Sequence, residues 1–247
     1  MLVLWIMSLF LKNTSIVDIF WGAGFVMSVW VVFVKTFGYV TFRHWLFAIL
    51  VTIWGLRLTI YLIIRNTGKP EDFRYANWRK QYGNNWWWVS FFQTFMLQGL
   101  IMWIVSSPLT VMQLSATPSK MNIFNYFGIV LWVIGFIFEF FGDLQLAMFR
   151  NKPSNKGKLL NTGVWRYTRH PNYFGDSTQW WGFYLLALTT GWWTIFSPII
   201  MTYLLVKVSG VALLEKTLIE NKPGYKEYAE NTNAFFPWFP KNKTNKL

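Results

Sequence analysis

Between Arg166 and Asp176 the chain reads RYTRHPNYFGD, two arginines, a histidine, an asparagine, two tyrosines and an aspartate within eleven residues. The strongly apolar STQWWGFYLLALTTGWW follows at once. Pro171 suits the first turn of a helix, where its missing N–H would be unpaired anyway. Asn172 and Asp176, four apart, then share one face of that helix. Its N-terminus carries the positive end of a helix dipole and favours an anion. Upstream, Glu139 and Asp143 repeat the four-residue spacing within another apolar run, and Gln145 and Arg150 carry the polar stripe on towards the surface. Such a stripe facing such a cluster makes a cavity open to one side of a membrane, with basic residues at its entrance. It suits a ligand whose anionic end stays outside while a less charged end reaches inward. A phosphorylated cofactor fits, since arginine grips phosphate through two parallel hydrogen bonds. The other reading is a set of interhelical hydrogen bonds beside charges that only orient the protein.

The elements that must position these residues follow from composition. The chain has 247 residues, 54% hydrophobic and 13% charged, with 17 Trp and 24 Phe. A soluble domain carries roughly 25% charged residues, so the expectation is one integral, multi-pass, all-helical membrane domain over 1–247, in a bacterial inner membrane or the endoplasmic reticulum. Runs of spanning length, about 20 residues, lie at Ile16–Val34, His44–Ile64, Val89–Met112, Ile123–Met148, a slightly short Asn172–Thr189, and from Trp192 to near Leu214. With the opening MLVLWIMSLFLK, read as a short first span and not a signal peptide, the expected number is about seven. Only Lys35, Arg43 and Lys120 fall on one side of these spans, and Arg57 and Lys207 fall within them. The remaining Lys and Arg gather on the other side, which places the C-terminus in the cytoplasm and the N-terminus outside. The net charge of +13 therefore has a topological explanation, and nucleic acid is not the expected partner. Membrane lipids and a lipid-soluble small molecule are.

Several chemistries are excluded. There is no cysteine, hence no thiolate site or disulfide. The two histidines, His44 and His170, lie too far apart in sequence to suggest a metal cluster. No G-x-G-x-x-G follows a strand. His44, beside Trp45 at a span end, reads as interfacial, and His170 as either a proton donor or a loop hydrogen-bonder. Of the ten acids, Asp18, Glu139, Asp143, Asp176 and Glu215 lie in or at the edge of apolar runs, where ionisable groups are expensive and need a reason. Arg57 needs a partner, for which Asp18 is a candidate. The segment Arg65–Gly83 sets Glu71 and Asp72 against Arg74 and Arg79, and Tyr75, Trp78 and Tyr82 recur as one packed face, so it is expected to be a structured cap.

TGVWRYTRHPNYFGD followed by WWG resembles the C-terminal signature of the steroid 5α-reductase and sterol reductase superfamily. VDIFWGAGF, WGLRLTIYLIIRNTGKPEDFRY, SFFQTFMLQG, GDLQLAMFR and SGVALLEK are similar to segments of its uncharacterised, steroid-reductase-like branch, so the resemblance runs from Asp18 to about Pro237. RHPNY alone also resembles isoprenylcysteine and phospholipid methyltransferases, which use S-adenosylmethionine. The resemblance implies a seven-span fold binding NADPH in a cytoplasm-facing cavity of its later part, about 122–240. It implies hydride transfer to an activated C=C bond of a steroid-like or other lipid-soluble substrate. By motif position, Asp143, Arg150, Tyr167, Arg169, His170, Asn172, Tyr173 and Asp176 correspond to cofactor residues. Glu139 joins them through the polar stripe, and Arg166, Lys156 and Lys158 are candidates to reach phosphates. The glutamate that grips a steroid carbonyl in the 5α-reductases has no clear counterpart, with Asp18, Glu71 and Tyr61 as candidate substitutes. Tyr61, Glu71 and Tyr75 are the candidate catalytic acids. The methyltransferase, and a non-enzymatic membrane protein, are the alternatives.

Overall fold

The computed structural model describes residues 1–118, 120–208, 211, 215, 218 and 222–241. All regular structure among them is helical, and they form two compact units, 1–120 and 121–247. Five helical stretches are long and apolar enough to cross a membrane: Ile16–Lys35, Phe42–Asn66, Phe73–Val105, Ile123–Arg150 and Pro171–Val208. The architecture is that of a multi-pass membrane protein.

The first unit contains α1 (Leu2–Leu11), α2 (Ile16–Lys35), α3 (Phe42–Asn66) and α4 (Phe73–Tyr82). A run from Trp86 to Val105 follows, made of α5 (Trp86–Ser90), a π-helical stretch Phe91–Met96 and α6 (Leu97–Val105). The expected span Val89–Met112 is therefore broken. Ser106 leaves the helix, and α7 (Ser107–Leu114) restarts with Pro108 in its first turn, where a missing N–H is harmless. At 10 residues, α1 is about 15 Å long, half the hydrocarbon thickness. His44, expected at a span end, lies in the first turn of α3 and is fully buried among protein side chains. It closes the N-terminus of α3 in a reciprocal cap with Thr41, its Nδ1 accepting from the Thr41 N–H at 3.0 Å.

The second unit contains α8 (Ile123–Arg150), α9 (Pro171–Gly191), α10 (Phe196–Tyr203), a π-helical stretch Leu204–Val208 and α11 (Tyr225–Asn231). α10 folds back along α9. The backbone leaves the helix at Gly191, the Tyr184 hydroxyl donates to the Trp192 carbonyl at 3.1 Å, and the Ser177 and Thr202 hydroxyls meet at 2.7 Å. The stretch Pro171–Val208 is thus a hairpin, not one rod.

Lipid offers no hydrophobic drive for helices to associate, so close packing and polar contacts must supply it. Each unit is built on an antiparallel pair that does this. In the first, Gly22 of α2 lies against Gly55 of α3, so close that a methyl group at Gly55 would sit 2.6 Å from the Gly22 carbonyl oxygen. In the second, the buried positions of α8 are Asn125, Gly128, Trp132, Gly135, Glu139, Gly142 and Asp143. Apart from the last, they alternate by three and four, the seven-residue repeat that keeps one seam facing a partner. Gly128 opposes Gly182, and Gly135 opposes Gly175. With backbones in contact, even short polar side chains bridge α8 and α9.

Candidate functional site

Three polar groupings stand out, one in the first unit and two in the second. In the α8–α9 seam, Gln179 donates to Glu139 at 2.6 Å, and Asn172 donates to Asp143 at 3.1 Å. Both carboxylates are almost fully buried. Asp176 is buried one helical turn beyond Asn172. Asp143 and Asn172 thus meet across facing helices, Glu139 meets Gln179, and Asp176 is buried on α9. Gln145, next on the stripe, accepts from the Val164 N–H at 3.1 Å, and the Trp165 indole donates to the Gly142 carbonyl at 3.1 Å. These bonds fold the approach segment 163–166 back onto α8.

The second grouping lies at the N-terminus of α9. Pro171 occupies the first helical turn and His170 the capping position. Arg169 donates to Glu215 through Nε at 2.7 Å and, through one Nη, to the carbonyls of Ala229 and Thr232 at 2.5 and 2.7 Å. His170 Nε2 lies 3.2 Å from the same Glu215 oxygen, and its ring stacks on Tyr173. Arg169 was expected at the cofactor, but its guanidinium is committed to a carboxylate and two carbonyls of its own chain, so its work is to hold the α9 entrance. Tyr167 is half-buried and stacks edge-on against Phe239. Arg150, Lys158 and Arg166 are exposed. Arg166 lines a polar cavity of about 430 Å³ together with Asn161, Glu227, Tyr228, Asn231 and Thr232. That volume lies within the range usual for small-molecule sites. α11 lies within the part expected to hold the cofactor, about 122–240, but none of its residues was a candidate for the site; the walls it gives this cavity come from packing.

The third grouping belongs to the first unit. Tyr75, only 2% exposed, donates its hydroxyl to Asp18 at 2.6 Å and accepts from Gln98 at 3.1 Å, and Gln98 accepts from the Trp21 indole at 2.6 Å. Arg74 holds the other Asp18 oxygen at 3.0 Å and also grips Asp72. Asp18, a candidate partner for Arg57 in the sequence, is answered by Arg74 and Tyr75. Asp18 and Asp72 line a cavity of about 360 Å³ with Ser15, Ile19, Ile63 and Lys69. Tyr61 is half-buried on α3 with the Arg65 guanidinium 5.7 Å above its ring. The segment Arg65–Gly83 is structured as expected, with Tyr75 packed against Val17 and Phe95.

Glu71 has a different task from the acid role proposed for it. Arg79 grips both its oxygens, at 2.8 and 2.9 Å, and the Thr14 N–H donates to it at 2.6 Å. Burial pushes its pKa up, but these hydrogen bonds and the Arg79 charge outweigh that and hold it below its ordinary 4.5. Glu215 is likewise pushed up by burial and held lower by His170 and Arg169. A carboxyl depressed in the folded state contributes stability above its unfolded value and loses it as pH falls through the folded value. Thermal stability is therefore expected to be flat above about pH 5 and to fall on acidification through the range below the ordinary 4.5. Melting curves of the parent and of Glu71→Gln/Glu215→Gln across pH 7 to 3.5 check this. The double variant melts lower at pH 7 and varies less with pH.

Fold and site together define a multi-pass helical membrane protein with buried, paired carboxylates and a basic surface at one end of its second unit. The chain belongs to the family described as Protein of unknown function (DUF1295), whose pattern matches residues 4–232. An uncharacterized protein of Schizosaccharomyces pombe is 28% identical over 265 residues, covering 95% of this chain and 76% of that relative. No solved structure matches.

Proposed function

We propose that the protein is a membrane-embedded, NADPH-dependent reductase that reduces an activated C=C bond of a lipid-soluble, steroid-like substrate. The observation that carries the reading is the coincidence at one end of the α8–α9 pair. Asp143 pairs with Asn172 and His170 stacks on Tyr173, and Arg169, the neighbour of His170, bonds the Thr232 carbonyl, whose residue lines the polar cavity with Arg166. The residues fit a dinucleotide in part. Arg166, with Lys158 and Arg150 exposed on the flanking segments, offers cations to phosphate groups, and Asn161, Asn231 and Thr232 offer neutral hydrogen bonds. Arg169 is held largely by its own chain, with Nε and one Nη given to Glu215 and to the carbonyls of Ala229 and Thr232. When bound, NADPH supplies the hydride. The chain's own part is to hold phosphates at the polar cavity, to orient the polar end of the ligand with Asp143, Asn172 and Asp176, and to exclude water along the apolar helices.

The proposal includes the topology. The loops carrying Arg65–Lys80 and Arg150–Arg169, and the C-terminal tail, face the cytoplasm, following the positive-inside rule. Counting the α9–α10 hairpin as two crossings gives six. The seventh, with an outside N-terminus, requires the short α1 to cross as well. The commitment of Arg169 favours the methyltransferase as the second reading, since S-adenosylmethionine needs no phosphate grip. Both readings are tested in sealed vesicles by adding NADPH to the outside and following energy transfer from tryptophan to the reduced nicotinamide. Transfer is expected only where Lys156→Cys, and not Lys120→Cys, is reached by an impermeant thiol reagent. Absence of transfer in both orientations, with S-adenosylmethionine binding instead, would overturn the reductase.

A further inference from the structure

Beyond α11 the chain reads TNAFFPWFPK, residues 232 to 241, and its backbone is tied down along its length. The Arg169 N–H donates to the Asn233 carbonyl at 2.9 Å, and the Thr168 hydroxyl donates to the carbonyls of Ala234 and Phe235. The Trp238 N–H donates to the Tyr167 carbonyl at 2.9 Å, and the Lys241 N–H to the Asn231 carbonyl at 2.9 Å. Pro237 and Pro240, with fixed φ and no N–H, keep the strip out of any helix. A strip so clamped holds its side chains where they are. Phe236, Trp238 and Phe239 nevertheless stand 71%, 69% and 75% exposed, an apolar patch outside every candidate span.

Two observations say what covers it. The first is depth. Phe174, in the first turn of α9, where that candidate span begins, has its ring centre 6.0 Å from Phe235 and 6.2 Å from Phe236. The strip therefore lies level with the point where α9 enters the bilayer. The second is charge. Lys241 is exposed, the sequence continues to Lys243 and Lys246, and the exposed Arg166 shares a cavity wall with Pro240. Aromatic rings beside cations are the composition that settles at the boundary of headgroups and acyl chains.

We propose that Phe236–Lys241 is an interfacial anchor whose rings insert into the headgroup–acyl boundary beside α9 and whose lysine meets anionic lipid phosphates. The same strip fixes the backbone of Tyr167–Arg169, so the lipid surface sets the position of the α9 entrance. The anchor does not depend on which cofactor, if any, binds there.

The chain has no cysteine, so single-cysteine variants can carry nitroxide labels cleanly. Trp238→Cys and Phe239→Cys are to be compared with Lys226→Cys, an exposed position on α11. The full chain is placed in phosphatidylcholine vesicles with and without phosphatidylglycerol. Labels at 238 and 239 are expected to be relaxed several-fold more by oxygen than by a water-soluble nickel complex, and the label at 226 the reverse. Phosphatidylglycerol should deepen the first two, and Lys241→Gln should abolish that deepening. Labels at 238 and 239 that relax like the one at 226 would show the patch facing water or another protein, and the anchor is then wrong. Depth indifferent to phosphatidylglycerol removes the lysine's role.

Discussion

Replacing Arg169 by alanine is expected to lower the stability of the ligand-free protein by about 3 kcal/mol, the low end for breaking a buried ion pair. At roughly 2–4 °C per kcal/mol for a chain of this size, that is a fall in melting temperature of about 6–12 °C. The side chain is 10% exposed and its partner Glu215 19%, so the remaining carboxylate keeps little water. Among the described residues, the variant leaves that carboxylate with His170, and it removes a donor from the carbonyls of Ala229 and Thr232. The low end applies because Glu215 retains some solvent. Arg169→Lys is expected to recover less than half of the loss, since one ammonium cannot reproduce a planar fork spread over three acceptors. Adding Glu215→Gln to Arg169→Ala is expected to restore part of the stability by removing the uncompensated charge. Melting curves in detergent without ligand decide. A loss within 0.5 kcal/mol, the range of ordinary surface substitutions, would mean that Arg169 is not the brace of the α9 entrance.

Gly175→Leu is expected to be at least as damaging. A single methyl group at Gly175 would already sit 2.4 Å from the Glu139 backbone nitrogen and 2.4 Å from the Gly135 carbonyl oxygen. Both obstacles are backbone, so neither can swing aside, and α8 and α9 must separate. Overpacking of this kind costs about 1–3 kcal/mol for added methylenes and more where backbone must move. Separation also stretches the Asp143–Asn172 and Glu139–Gln179 hydrogen bonds of two buried carboxylates. The variant should therefore lose about 3 kcal/mol or more and fail to bind any ligand held by Asp143 and Asn172. Gly38→Ala is the control: a methyl group there meets nothing within 4 Å, and its melting temperature should stay within about 1–2 °C of the parent, as small surface changes do. A Gly175→Leu protein melting like the control would contradict the seam.

What could be read in advance was what repeats or lies close in the chain. Apolar runs located α2, α3, α8 and α9 to within a few residues, because length and hydropathy are properties of a segment alone. Glu139 with Asp143, and Asn172 with Asp176, were legible as helix-face pairs for the same reason. The glycines at 128, 135 and 142 carry the α8 seam as a seven-residue period, a signal that lies in small residues and not in the polar ones of the same stripe. Partners distant in sequence were not legible. Arg169 and Glu215 are 46 positions apart, Tyr75 and Asp18 57, and only the packing of helices brings them together. Glu71 was named as an acid from its position, and its gripping by Arg79 and the Thr14 N–H reverses that role. The break at Ser106 follows from Pro108, a local signal outweighed by the apolar run around it.

The central claim is that the cluster around Asn172 holds NADPH. The direct measurement is the melting temperature of the purified full chain in detergent with NADPH, NADH or S-adenosylmethionine at about 100 times a plausible dissociation constant. Binding to the native state alone at that excess adds roughly 2.7 kcal/mol. A rise with NADPH only, absent in Asn172→Ala measured against its own ligand-free curve and retained in Glu71→Gln, is the predicted result. A rise with S-adenosylmethionine only would contradict the account and make the protein a methyltransferase. No rise with any of the three would leave the α8–α9 carboxylates as structural bonds of a protein without this cofactor.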